Sequence, residues 1–320
     1  MASNGQTRNN LLDPAEEIQI RKISGHELKF THLSKIFWPK ENLTKRDMLN
    51  YYYQVAPYIL PYLKSRPHSL NRHPDGIEGE HFFQKNIKGK APEWIEKFAY
   101  RSEGDEKEKE FLVCADEAHL LYMVSLGCIE INPWSSRIGK PGYPDWCIID
   151  FDPDNNPFSQ VIDAAQVTHQ ILESIGVNSC CKTSGSTGIH IYIPLGTKYT
   201  YDESKEFARV IVTAVHAEIP GFTSIDRPTL KRKGKIYLDF LQNRPQATLA
   251  APYSLRPKPG APVSMPLYWP ELKKGLQMED FTIYNALERL RKEGDPFKPV
   301  LGKGVDMYKA MERLRPYAER

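Results

Sequence analysis

The chain has 320 residues, a formal net charge of +3, 40% hydrophobic residues and 26% charged residues. That composition belongs to an ordinary globular protein and excludes low-complexity and fibrous chains. No apolar run is long enough to cross a membrane, and the N-terminus lacks a signal-peptide core. Five cysteines (Cys114, Cys128, Cys147, Cys180 and Cys181) form no C-x-x-C pair, which predicts reduced core thiols in a cytosolic protein rather than a zinc site or disulfides.

In chain order, residues 1–17 read as a polar, frayed tail. Residues 18–298 read as one domain with no linker strong enough to divide it, and 299–320 as a C-terminal tail with a helix from Met307 to Tyr317. Thr44 caps a helix with a Met48, Leu49, Tyr52, Val55 stripe that extends to Leu63, with Pro57 and Pro61 breaking or restarting it. A strand covers Ser69–Arg72. In His81-Phe82-Phe83-Gln84-Lys85, strand alternation predicts one Phe in the core and one facing outward. Arg101–Glu110 is a charge run and reads as an exposed hairpin loop. A helix follows over Glu117–Leu126, then a strand over Cys128–Asn132.

The stretch from Trp146 to Leu195 organises the rest. Trp146–Asp152 is a short apolar strand with Asp150 and Asp152 two apart, hence on one face. Ser159 caps a helix whose apolar positions run from Val161 to Ile175, and Gly176 stops it. A second strand leads into Ser184-Gly185-Ser186-Thr187-Gly188, and a third covers His190–Pro194. Beyond it come an amphipathic helix over Glu203–Ile219 and a strand at Leu238–Leu241 carrying Asp239. Pro252–Pro270 holds six prolines in nineteen residues, an extended wrap, and a short helix covers Phe281–Lys292.

Two carboxylates on one strand face repel unless a cation lies between them, and hard cations take oxygen ligands. Asp150 and Asp152 therefore point to Mg²⁺ or Mn²⁺. Gly185 and Gly188 permit a tight loop whose backbone N–H groups can meet phosphate oxygens, with Ser184, Ser186 and His190 as further donors. A metal-binding pair beside an anion-binding loop is what a nucleoside triphosphate requires. Between Arg227 and Lys258 stand eight basic residues against one acid, Asp239, a run that suits a polyanion.

D-F-D-P followed about thirty residues later by S-G-S-T-G-I-H resembles the archaeo-eukaryotic primase superfamily, and within it the polymerase domain of bacterial DNA ligase D, from non-homologous end joining. The resemblance runs from about Lys29 to Phe297. It takes in HFFQKNIKGKAPEWI, EINPWSSR, IYLDFLQN and APYSLRPKPGAPVSMPL in the family's order. It implies an α+β fold: a primase-type catalytic core with an RRM-like antiparallel sheet, flanking helices and the metal carboxylates on the sheet. It implies a nucleotidyltransferase of the DNA polymerase or primase type that fills gaps and extends ends, favouring ribonucleotides.

Carried over by resemblance, Asp150, Asp152 and Asp239 ligate two divalent cations, Mn²⁺ or Mg²⁺. Ser184, His190, Arg232, Arg256 and Arg72 serve the NTP or dNTP. Lys35 and Lys45 receive the 5′-phosphate of a DNA gap or end, Phe82 and Phe83 stack on the templating base and duplex end, and Lys85 contacts DNA. Implied partners are a DNA ligase domain and a Ku-type end-binding protein, in a prokaryotic cytosol and away from membranes. The chain departs from many relatives at Thr187, where they have Lys, at Asn132, where they have His, and at Asn71, where they have a basic residue. It also has no ligase K-x-D-G motif. Two other readings stay open: a non-catalytic DNA-end binding or synapsis module, and a metal-dependent glycosyltransferase using D-x-D.

Overall fold

The structure, a computed structural model, describes residues 8–102 and 107–318. It forms two compact units. Unit 1 holds the chain up to Trp134 with Ala250–Ser264 and Phe281–Gly294; unit 2 holds Ser135–Leu249, Met265–Asp280 and the chain from Asp295 on. Because the chain passes repeatedly from one unit to the other, no single linker marks a boundary.

Unit 1 begins with a hairpin, β1 (Gln19–Ile23) and β2 (His26–Phe30), then a small pair, β3 (Ile36–Trp38) and β4 (Leu43–Thr44), and helix α1 (Lys45–Leu63). Strands β5 (Arg66–Arg72), β6 (Phe82–Gln84), β7 (Lys97–Tyr100) and β8 (Lys109–Cys114) follow, then helix α2 (Glu117–Ser125) and strand β9 (Cys128–Pro133). The sheet runs β6-β5-β8-β7, with β9 also paired to β5. Of the expected hairpin loop over Arg101–Glu110, residues 103–106 lie outside the described residues, and Lys109 and Glu110 already belong to β8. Phe30, Phe37, Trp38, Tyr52 and Trp134 are fully or almost fully buried in this unit.

Neither Pro57 nor Pro61 breaks α1, which is continuous through both. Proline at position 57 cannot donate to the Tyr53 carbonyl four residues back, and Arg8 Nη1 donates to that oxygen at 2.9 Å instead. The helix starts where expected: Thr44 caps it, and Asp47 completes a capping box by accepting from the Thr44 N–H at 2.7 Å, a motif worth about 1 kcal/mol at its N-cap. Of the expected tail, residues 1–7 are outside the described residues. Leu12 is buried, and its N–H donates to Asn50 Oδ1 at 3.0 Å.

Unit 2 contains β10 (Trp146–Asp152), α3 (Phe158–Ser174), β11 (Cys180–Thr183), β12 (Ile189–Pro194), α4 (Tyr201–Glu218), β13 (Thr223–Ser224), α5 (Thr229–Arg232), β14 (Ile236–Asp239) and β15 (Pro266–Leu267). Helix α6 (Ala286–Glu293) belongs to unit 1, and α7 (Met307–Ala318) packs on α4 in unit 2. The strand order is β13-β14-β10-β12-β11-β15. The run β10-α3-β11-β12-α4-β14 gives the central antiparallel order β14-β10-β12-β11, the RRM-like arrangement the resemblance implies.

Ser159 does not cap α3: the helix begins at Phe158, Pro157 occupies the cap position, and no side chain caps it. Cys147 lies 3.6 Å from the Ser204 carbonyl of α4, so the odd positions of β10 face the helices. Alternation then turns Asp150 and Asp152 to the opposite face. All five cysteines are reduced and buried, and burial pushes Cys128, Cys147 and Cys180 up to about 12. Among the described residues no helix is long and apolar enough to cross a membrane.

Candidate active site

Register places the acids. Asp150 on β10 stands directly opposite Asp239 on β14, and Asp152 lies one strand repeat further along β10. The ligand oxygens of all three lie within 4.8 Å of one another. Asp150 and Asp239 are buried, and Asp152 is half-buried. Burial, and next the Asp239 carboxylate, raises the Asp152 carboxyl above its ordinary range, while Arg232 opposes the rise. A divalent cation would relieve that crowding, and an all-oxygen donor set fits Mg²⁺ or Mn²⁺.

Two neighbours hold the acids in place. Asp239 Oδ1 accepts the Leu241 N–H at 2.7 Å, and Oδ2 accepts from Gln242 Nε2 at 3.0 Å. Asn243 bonds both the N–H and the carbonyl of Ile148, at 2.8 and 2.7 Å, so its amide acts as a backbone partner for β10. Sequence reasoning missed both residues, although they stand only three and four positions after Asp239. His190 on β12 stands opposite Asp150, with Nε2 3.3 Å from Asp150 Oδ1.

The glycine-containing turn is built differently from the expected phosphate cradle. Ser184 Oγ accepts the N–H groups of Ser186, Thr187 and Gly188 at 3.0, 3.1 and 3.0 Å. Those amides already have an acceptor, and the hydroxyl shapes the turn from inside. Gly185 adopts φ +69°. Gly188 is required by proximity, because a Cβ there would lie 2.1 Å from the Phe151 carbonyl oxygen. Thr187 is exposed on this turn. Arg232 ends α5, donates to the carbonyls of Asp226 and Arg227 at 3.2 and 2.7 Å, and lies 4.0 Å over the Tyr237 ring.

The remaining sequence-predicted residues belong to unit 1. Lys45 N donates to the Lys35 carbonyl at 2.8 Å, which brings the two lysines together. Lys35 pairs with Asp75. Lys45 is buried at the first position of α1. Burial, then the Lys35 and Arg72 cations, lowers its ammonium to about 8. Arg72 donates to the Leu126 carbonyl and to Gln84 Oε1, each at 3.0 Å, and lies 5.2 Å beneath the Phe82 ring.

Phe82 and Phe83 are 47% and 57% exposed, so neither is core. They sit on an edge strand of three residues, and alternation there buries neither. Lys85 is exposed beside them. Arg256 Nε donates to Glu130 Oε2 at 2.8 Å, a half-buried ion pair whose acid the sequence reading did not single out. Asn71 and Asn132 are buried on β5 and β9.

The family model for the LigD primase-polymerase domain matches residues 44–297. The bifunctional non-homologous end joining protein LigD of Bacillus subtilis is 34% identical over 285 residues, 88% of this chain and 46% of that protein. The multifunctional LigD of Pseudomonas aeruginosa is 30% identical over 291 residues, 89% of this chain and 34% of that protein. This chain thus spans less than half the length of these curated relatives. The polymerase domain of Mycobacterium tuberculosis ligase D, solved in complex with DNA, shares the fold with a TM-score of 0.80 at 24% identity, over 87% of this chain and 99% of that one. The chain belongs to the LigD primase-polymerase domain family.

Proposed function

We propose that this chain is a nucleotidyltransferase that adds nucleotides, directed by a template, to DNA ends and gaps, as the polymerase part of double-strand-break end joining. The observation that carries the reading is the carboxylate cluster: Asp150, Asp152 and Asp239 offer ligand oxygens within 4.8 Å of one another on one sheet face. These residues would hold two divalent cations, which when bound acidify the primer 3′-hydroxyl and neutralise the triphosphate. Gln242 and the Leu241 N–H keep Asp239 oriented. His190, beside Asp150, would donate its Nε2–H to a phosphate oxygen. Ser184 would act on the nucleotide by holding the turn in shape, and Arg232 would supply positive charge to it; for Arg256 and Arg72 a nucleotide role rests on the family resemblance alone.

Lys35 and Lys45 are our candidates for the 5′-phosphate. A lysine at a helix N-terminus, close to further cations, is disfavoured until an anion arrives, and the depressed Lys45 ammonium is what such a site would produce. The neighbouring exposed pair Phe82 and Phe83 would stack on bases, a sequence-tolerant contact, with Lys85 on the DNA backbone. The family resemblance further supports a preference for ribonucleotides, and a ligase domain and a Ku-type protein as partners.

The test is extension of a 5′-phosphorylated gapped duplex with each NTP and dNTP, in Mn²⁺ and in Mg²⁺. We expect metal-dependent, template-matched addition with higher kcat/KM for NTP. Tight DNA binding with no addition in either metal would favour an end-binding module instead.

A further inference from the structure

Four residues stand in one rank across the sheet of unit 2. Asp239 is opposite Asp150, Asp150 opposite His190, and His190 opposite Lys182. Directly opposed residues project from the same face, so the rank runs from two acids through an imidazole to a cation. The lysine is the unusual member. Lys182 has no exposed surface, and a buried ammonium is costly unless it is paired and hydrogen-bonded. Its Nζ lies 2.8 Å from His190 Nδ1 and 5.8 Å over the Tyr192 ring.

An ammonium has only donors. With Lys182 charged, Nδ1 of His190 must accept, and the proton of the neutral ring must sit on Nε2. That nitrogen is the one 3.3 Å from Asp150 Oδ1. We propose that Lys182 is a positioning residue: it fixes the tautomer and ring plane of His190, so that the Nε2–H is aimed at the carboxylate cluster. The lysine does not touch the reacting atoms. It acts through His190 as the groups behind metal-ligating histidines do, by deciding which nitrogen carries the proton. A lysine that merely filled space would leave the tautomer unassigned.

The consequence for activity rests on the nucleotidyl-transfer reading above; the tautomer does not. The experiment is therefore in two arms. In the first, metal-free protein labelled with ¹⁵N-histidine gives two-bond ¹H–¹⁵N correlations at neutral pH, the His190 signals being those lost in His190→Gln. We expect wild-type His190 as the pure Nε2–H tautomer, and a mixture in Lys182→Met, which keeps the length but removes the donor. In the second, we expect kcat/KM for the nucleotide to fall about 10–100-fold in Lys182→Met, with DNA affinity unchanged. A wild-type ring protonated on Nδ1 overturns the proposal, even if the variant does not fold. So does a Lys182→Met protein with an unmixed Nε2–H ring and unchanged kcat/KM. If wild-type protein adds no nucleotide at all, the proposed function fails while the spectra still decide the role of the lysine.

Discussion

The aspartate cluster of unit 2 and the lysine pair of unit 1 are opposite in sign and alike in logic. Each gathers like charges at a spot where folding alone gives no reason to do so. At the acids, burial and the Asp239 carboxylate raise Asp152 above its ordinary range. At the lysines, burial and the cations of Lys35 and Arg72 lower Lys45 to about 8. The two sites differ in how rigidly they are built. The acids stand on paired central strands, and Asp239 is also held by Gln242 and the Leu241 N–H. The lysines flank the short, irregular β3–β4 pair, one before its first strand and one at the helix start, and Lys35 already has a counter-ion in Asp75. A divalent cation needs oxygens at set distances, whereas a terminal phosphate tolerates adjustment by long side chains. The architecture matches those two demands.

Breaking the rigid site should have the larger effect. Asp150→Ala or Asp152→Ala should lower nucleotide addition at least a thousandfold, in line with several kcal/mol of lost charge stabilisation, while DNA affinity stays within about twofold. Single-nucleotide extension and DNA titration on the same preparations check this, and appreciable extension by either folded variant would remove the assignment. Breaking the adaptable site should weaken binding without stopping chemistry. Lys35→Ala with Lys45→Ala should cost about 10–100-fold in affinity for a 5′-phosphorylated gap, with little change for the 5′-hydroxyl form. The salt slope should fall by about 1 per lost contact.

Much of the rigid site was legible because strand alternation is a strict rule. Asp150 and Asp152 two apart had to share a face, and Asp239 joined them by resemblance. Lys182 was not legible: it sits in a short strand where alternation leaves it either in or out, and only the cross-strand register shows it behind His190. The turn from Ser184 to Gly188 reads in sequence as open amides. A hydroxyl accepting three of them is a tertiary choice that composition does not encode. At the adaptable site, Thr44 and the start of α1 were legible from capping chemistry. Alternation failed for Phe82 and Phe83 because it presumes one buried face, whereas both rings of this three-residue edge strand are exposed. Pro57 misled because the replacement donor, Arg8, is forty-five positions before the Tyr53 carbonyl it serves.

A smaller effect sharpens the comparison through pH. Without ligand, Lys45 is half deprotonated near pH 8. Bound phosphate favours the charged form and so raises that pKa. The affinity advantage of a 5′-phosphate over a 5′-hydroxyl should therefore be complete well below pH 8 and decline as pH rises through it. Titrations at pH 7 and pH 9 check the sign, and an advantage that grows with pH would contradict it.

Stability gives the smallest effect, with the opposite dependence on charge. The folded pKa of Asp152 is raised, so its contribution to stability is present at low pH and lost as pH rises through that folded value. At neutral pH its ionised form burdens the metal-free protein. Asp152→Asn should therefore raise the Tm of the metal-free protein in chelator, most clearly at neutral pH. Added Mn²⁺ should raise the Tm of wild type and leave that of the variant nearly unmoved.

The central claim is that Asp150, Asp152 and Asp239 are brought together to hold divalent cations, and Mn²⁺ titration followed by electron paramagnetic resonance tests it most directly. Wild-type protein should bind Mn²⁺ saturably, and Asp150→Ala should bind it at least tenfold more weakly with its fold intact. Equal Mn²⁺ affinity in the two proteins, or no saturable binding by wild type, would contradict the account.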